Sequence, residues 1–231
     1  MVGTIEINGT GGILEGNLGT AAVNVNTDPV YGNFNGTTSA LSSTGADFDS
    51  IWAGNGGCIA AWIYPKSDGE NNGGRIADKG QWGIQFNGES GTDMKLRLHH
   101  TFDGDDSGWD TTNHVVPQNA WSHVAFVYDS DATGNNPVMY VNGVSVAVTE
   151  SDTPTGTIDS DASSTLYIGN RAAGDRTFDG YMVDVKVYKN VAVTAAQVAG
   201  MAKKINVEST DPNLPTSGIQ LWAKLNASTT A

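Results

Sequence analysis

At 231 residues and a formal net charge of −13, the chain can build one sizeable core, burying about 70% of its unfolded surface. It is too acidic to seat on nucleic acid, which needs clustered Lys and Arg. Its 29 glycines, 16% charged residues and Asp-dominated acids (19 of 25) fit many turns between short strands rather than long helices.

The N-terminus, "MVGTIEINGTGG", has neither the charged region nor the apolar region of a signal peptide. This predicts a chain that stays in the cytosol, leaves by another route, or has been trimmed of a leader. "TIEIN" (4–8) places Ile5 and Ile7 on one face, and "AAVNVN" (21–26) does the same with Val23 and Val25. "CIAAWIYP" (58–65) is apolar throughout. It suits a buried strand in which Cys58, the single cysteine, is a small hydrophobe and Trp62 belongs to the core.

Further along, "WGIQFN" (82–87) sends Ile84 and Phe86 one way and Gln85 the other. In "MKLRLHHTF" (94–102), Met94, Leu96 and Leu98 oppose Lys95, Arg97 and His99. "HVAFVYD" (123–129) alternates likewise, and "VMYVNGVSVAV" (138–148) carries the hairpin signal Asn142-Gly143. In "FDGYMVDVKVYKNVAVTAAQVAGM" (178–201), Tyr181, Val183, Val185 and Val187 are expected on one face, with Met182, Asp184, Lys186 and Tyr188 on the other. Thr194 and Gln197 then stand in capping-box spacing, with Val193 and Val198 as a hydrophobic staple. The spacing predicts a helix of about two turns, too short to stand alone, covering one open end of the core. After a Pro-containing loop, Ile219, Leu221, Ala223 and Leu225 alternate in a last strand. Period-two segments separated by turn clusters such as "KSDGENNGG" predict an all-β antiparallel sandwich with one short C-terminal helix.

No run approaches the ~20 apolar residues of a membrane-spanning helix. The four histidines show no zinc spacing, and no serine sits in a nucleophile elbow. "DGDDSGWD" (103–110) resembles the opening of a calcium loop, with Asp103, Asp105 and Ser107 offering alternate oxygens. His114, however, occupies the twelfth position where a closing acid belongs. An acidic hairpin loop explains the same residues. For sugar recognition, Gln85, Arg97 and His99 on the polar face of neighbouring strands, with Trp82 and Trp109 at the strand ends, would line a binding surface. The competing reading is a solvated sheet face with tryptophans packed under loops. Trp121, in an apolar segment, is expected in the core beside Trp62.

Six segments together, "FNG" (34–36), "CIAAWIYP" (58–65), "WSHVAFVYD" (121–129), "MYVNG" (139–143), "LYIGN" (166–170) and "FDGYMVDVKVYKNVAVTAAQV" (178–198), resemble in order and spacing the laminin-G-like jelly rolls of the concanavalin-A-like superfamily. The resemblance covers residues 30–202 and implies two curved antiparallel sheets. It departs at Ala61, where an acidic residue usually precedes the tryptophan. The domain is expected to span 1–206, with a C-terminal loop and strand (207–231) packed on it. Relatives often hold a structural calcium near strand ends, which brings Asp179 and Asp184 forward as ligands.

Superfamily members that cut β-glucans carry Glu-x-Asp-x-(x)-Glu, because retaining hydrolysis needs two close carboxyl groups. Here Glu150-Ser151-Asp152 begins that pattern and Pro154-Thr155 ends it, so the chain is expected not to be an enzyme of that kind. The resemblance and the absent leader imply a surface structural or adhesive protein. Its most concrete form is a phage virion component, a capsid decoration or fibre made in the host cytoplasm and displayed on the virion surface. Its partners would be other virion proteins and surface glycans, with self-association open. The other reading is an extracellular, calcium-dependent carbohydrate-binding module of a secreted bacterial protein.

Overall fold

The computed structural model describes residues 15–17, 31–203, 205 and 213–225; the strands expected at 4–8 and 21–26 lie outside them. In chain order the strands are β1 (Glu15–Asn17), β2 (Gly32–Asn35), β3 (Ala40–Ser43), β4 (Gly57–Pro65), β5 (Arg75–Asp78), β6 (Trp82–Ser90), β7 (Asp93–His100) and β8 (Ser107–Thr111). They continue as β9 (Val116–Pro117), β10 (Ser122–Tyr128), β11 (Val138–Val141), β12 (Val144–Val146), β13 (Val148–Asp152), β14 (Leu166–Ile168), β15 (Asp179–Lys189) and β16 (Ile219–Ala223). One helix, α1 (Ala195–Met201), lies between the last two.

Among the described residues the strands form two antiparallel sheets. One runs β1-β3-β14-β5-β6-β7-β8-β13, with β9 beside β7; the other runs β12-β11-β10-β4-β15-β16, with β2 beside β15. Alternating side chains from both sheets, such as Ile84, Phe86, Leu96 and Leu98 from one and Ile59, Ile63, Phe126 and Val187 from the other, meet in one core. This is the two-sheet sandwich that the period-two pattern predicts. The Asn142-Gly143 turn forms as expected, with φ of 51° and 80°. Two positive values are what a two-residue turn needs to match strand twist.

The strand at 179–189 departs from simple alternation. Asp184 has φ 57°, and the pairing of β15 with β4 shifts register between Val183 and Lys186. An inserted residue flips the side chains that precede it to the opposite face. Met182, Val185 and Val187 therefore all enter the core, while Tyr181 is half-buried on the outside. The run expected as one face is split by the bulge.

The capping box of α1 is complete: Gln197 N–H donates to Thr194 Oγ1, and Thr194 N–H donates to Gln197 Oε1 at 2.9 Å. Val193 and Val198 are both buried, as the staple requires. The helix packs elsewhere than expected. Val198 and Met201 meet Cys58, Ala60, Ala125, Tyr140 and Tyr188, which alternate with core residues and so form the outer face of the second sheet. The helix covers a sheet face rather than an open end of the sandwich, because that face is apolar enough to need a cover. Thr194→Ala is expected to cost about 1 kcal/mol, read as a lowered urea midpoint.

Candidate functional site

Strands β6 and β7 turn Ile84, Phe86, Leu96 and Leu98 inward, so Gln85, Arg97 and His99 face outward. Cross-strand register then gathers residues far apart in sequence. One row runs Arg75, Gln85, Arg97, Asp110 and Thr149 across β5, β6, β7, β8 and β13. The neighbouring row runs Asp78, Gly83, His99, Gly108 and Asp152. The 171–176 segment after β14 reaches the same region, since Arg171 acts electrostatically on Asp78 and His99, and Arg176 on Arg75. All four arginines of the chain thus surround one outward face.

Each guanidinium is held in place. Arg75 Nε donates to Asp78 Oδ2 at 2.9 Å. Arg97 Nη2 donates to Asp152 Oδ2 at 2.5 Å and its Nη1 lies 3.5 Å from Asp110 Oδ2, while Asn87 donates to the other oxygen of Asp110 at 2.7 Å. Arg171 grips Asp175 through two bonds of 2.6 and 2.8 Å. Arg176 Nη1 donates to the Asn71 carbonyl at 2.7 Å. Four arginines against Asp78, Asp110, Asp152 and Asp175 leave this face close to neutral on a strongly acidic protein. Burial, reinforced by Arg75 and Arg97, pushes His99 down to about 3, so its ring is uncharged near neutral pH.

Three atoms of this face are buried without a hydrogen-bond partner: Arg75 Nη1, Gln85 Oε1 and His99 Nε2. Native proteins rarely leave such groups unmatched. Glycine makes room for these side chains at their present positions. A Cβ on Gly83 would collide with His99 Nε2 and crowd Asp78 Oδ2, and one on Gly108 would collide with Arg97 Nη2 and Asp152 Oδ2. The result is a low floor flanked by fixed donors and acceptors, with Arg97 and Asp152 side chains still 24% and 54% exposed. Paired guanidinium and carboxylate groups of this kind can bind vicinal hydroxyls, the guanidinium donating and the carboxylate accepting.

The expected aromatic partners are not on this face. Trp82 and Trp109 are both 0% exposed. Their indole N–H groups donate to Asp161 Oδ2 at 3.0 Å and Asn136 Oδ1 at 2.7 Å, so neither ring is available to a sugar. Trp62 and Trp121, expected in the core, are half-buried instead. Trp121 packs with Tyr31 at 4.6 Å and Tyr64 at 5.6 Å. Strand β4 points Ile59, Ala61 and Ile63 inward, which turns Trp62 and Tyr64 out. A run apolar on both sides gives no sign of which side faces the core.

The acidic residues considered for calcium are engaged otherwise. Thr157 donates to both oxygens of Asp103, at 2.7 and 2.8 Å, and Thr155 Oγ1 donates to Asp105 at 3.0 Å. The Ser107 hydroxyl closes the β7–β8 pair, donating to the His100 carbonyl at 2.8 Å and accepting from its N–H at 3.1 Å. Asp184 pairs with buried Lys186 and accepts from Trp222 Nε1. Asp179 accepts from Ser67 at 2.8 Å and lies five residues from Asp184 along one strand, on the order of 16 Å away. Among the described residues no three His, Cys, Asp or Glu side chains converge. These residues do not fit a calcium ion, which needs several oxygens directed at one point.

A laminin-G-like family model, described as the concanavalin A-like lectin/glucanases superfamily, matches residues 35–199. The chain belongs to this superfamily. No curated protein matches this laminin-G-like chain by sequence. Among solved structures, it is similar to the native heptameric SAP-like pentraxin of Limulus polyphemus (14% identity, TM-score 0.52, 94% of each chain covered). It is also similar to domain 4 of the extracellular arabinanase AbnA from Geobacillus stearothermophilus, solved with arabinotriose (20% identity, TM-score 0.50, 86% of this chain and 88% of that one). A third similarity is to the enzymatically active domain of tailspike protein 2 of bacteriophage CBA120 (15% identity, TM-score 0.55). There the match covers 94% of this chain and 33% of the tailspike chain. These likenesses establish a shared fold. Function must be argued from the site.

Proposed function

We propose that this lectin-like jelly roll is a non-catalytic adhesive protein that recognises neutral, hydroxyl-rich glycans on the outward face of its β5–β8 sheet, and that it serves as a surface component of a phage particle. The observation that carries the glycan reading is the Arg97 guanidinium held between Asp110 and Asp152 beside the glycine floor. The face as a whole, with four arginines against four aspartates, offers fixed donors and acceptors close to neutrality. Gln85, Arg97 and His99 form the recognition set, joined by Asp110 and Asp152. The phage reading draws support from the tailspike likeness. The arabinanase domain, matched along nearly its whole length and solved with a bound oligosaccharide, favours a second reading as a carbohydrate-binding module of a secreted bacterial protein. Mass spectrometry of purified virions, set against the culture supernatant of a bacterial host of the gene, separates the two.

Binding of the purified protein to a broad glycan array, in calcium and again in EDTA, tests the common core of both readings. Retained binding in EDTA is expected, because the acidic side chains considered for metal already have other partners. Loss of binding in EDTA would return a calcium ion to the site, and silence in both buffers would leave a purely structural particle protein.

A further inference from the structure

Consecutive residues of β7 serve opposite sides of the sheet. His99 faces the glycan surface just described; His100 faces inward and helps to wall a cavity of about 180 Å³ at one end of the sandwich. Its other walls come from separate segments: Ser50 and Trp52 before β4, Ser130 after β10, and Asp159 and Asp161 between β13 and β14. Strands from both sheets therefore feed loops into it.

The lining is polar and incompletely satisfied. Trp52 Nε1, His100 Nδ1 and Ser130 Oγ are buried without a hydrogen-bond partner, on residues 1%, 3% and 3% exposed. Three such groups around one cavity imply a polar occupant in solution. Asp161 is the fixed wall. Its carboxylate accepts from Ser50 N–H at 2.8 Å and Trp82 Nε1 at 3.0 Å, and Lys79 lies 3.6 Å away.

We infer that this cavity is a second binding pocket, taking a single neutral ring bearing hydroxyl groups, such as the terminal residue of a glycan. Size sets the first limit: the volume holds about six waters at ~30 Å³ each and is below the ~300 Å³ at which pockets for drug-sized ligands begin. Hydrogen-bond chemistry sets the second. Trp52 Nε1–H can only donate and an Asp159 carboxylate can only accept, so an occupant that meets both must offer both roles, as hydroxyls do. Charge sets the third. Asp106, Asp159 and Asp161 all act on His100 and disfavour an anion, while a bare cation could accept nothing from the Trp52 indole N–H. The His100 ring, pushed down to about 4 by burial, is neutral and free to donate or accept. Half-buried Ile158 adds apolar surface for the C–H side of a ring.

The pocket does not depend on the sheet-face reading, and its test is separate. In the intact ¹⁵N-labelled protein the Trp52 indole N–H resonance, assigned by its loss in Trp52→Phe, reports on the cavity directly. Titration with a panel of methyl glycosides is expected to shift that resonance saturably for at least one sugar. Ser130→Ala should weaken the same sugar at least tenfold. The Trp52 resonance in the unmutated protein is the first readout, so a variant that fails to fold does not decide the outcome. If no glycoside moves that resonance, or if Ser130→Ala binds as the parent does, the cavity holds ordered water alone and the inference is wrong.

Discussion

Acidification from pH 7 to pH 4.5 is expected to remove stability on the scale of the whole folding free energy. Burial first, and neighbouring cations second in two cases, pushes His99 and His123 down to about 3 and His100 down to about 4. In the unfolded chain each titrates near about 6.5. Above that value both states are neutral and nothing is lost. Below it the unfolded form takes up three protons that the folded form refuses until about pH 3–4, so folding weakens as pH falls through this window. The cost is about 1.4 kcal/mol per histidine per pH unit, against a total stability of roughly 5–15 kcal/mol for a typical domain. Asp68 and Asp78, both raised by burial, act in the opposite sense, as does partial neutralisation of the −13 charge, but two carboxylates do not offset three imidazoles with shifts this large. Thermal melts from pH 8 to pH 4.5 should show a steep fall beginning near pH 6.5, and His123→Gln should make it shallower. A flat profile between pH 7 and pH 5 would contradict the assignment.

The second large effect is at the β15 bulge. Asp184, 2% exposed, pairs with Lys186, 1% exposed, and also accepts from Trp222 Nε1 at 2.5 Å. The Lys186 ammonium lies 4.8 Å from the Trp222 ring. Its pKa is lowered by burial, with Asp184 acting the other way. Asp184→Ala would leave that ammonium buried without a counter-charge, and breaking such a pair costs about 3–5 kcal/mol. Asp184→Asn keeps a side chain that tolerates the φ of 57° and still accepts from Trp222, so its deficit isolates the charge. The double change Asp184→Asn with Lys186→Met should recover part of the loss. Urea unfolding measures all three. A loss under about 1 kcal/mol for Asp184→Ala, the range of an exposed pair, would show that the pair is solvated.

Local rules made much of the fold legible. The Asn142-Gly143 turn, the Thr194–Gln197 capping box and the alternation of β6 and β7 each depend on residues within a few positions of one another. They form where the sequence predicts them, and the same alternation turns Gln85, Arg97 and His99 outward. What failed was non-local. The bulge at Asp184 has no signature beyond an aspartate in a strand, so the faces of residues 181–183 came out reversed. Trp82 and Trp109 stand beside glycines and acids that read as loop, yet β8 starts at Ser107 inside the acidic segment and carries Trp109 into the core. Asp78 lies three residues from Arg75 on the same strand, but Asp110 and Asp152 reach Arg97 only through the pairing of β7, β8 and β13, and Arg171 and Arg176 join through a loop after β14. The one cue available was compositional: a chain with four arginines in all, whose gathering on one face becomes visible only once strand order is known.

Glycan binding by this arginine–aspartate face is the function proposed for the chain. Its most direct test is the affinity of the unmodified protein and of Arg97→Ala for the best glycan on the array, both in EDTA. A charge-assisted hydrogen bond is worth about 1.5–3 kcal/mol, so a loss of roughly ten- to a hundredfold with an unchanged melting temperature is predicted. Equal affinity of the two proteins would place any glycan site elsewhere on the molecule and contradict the account.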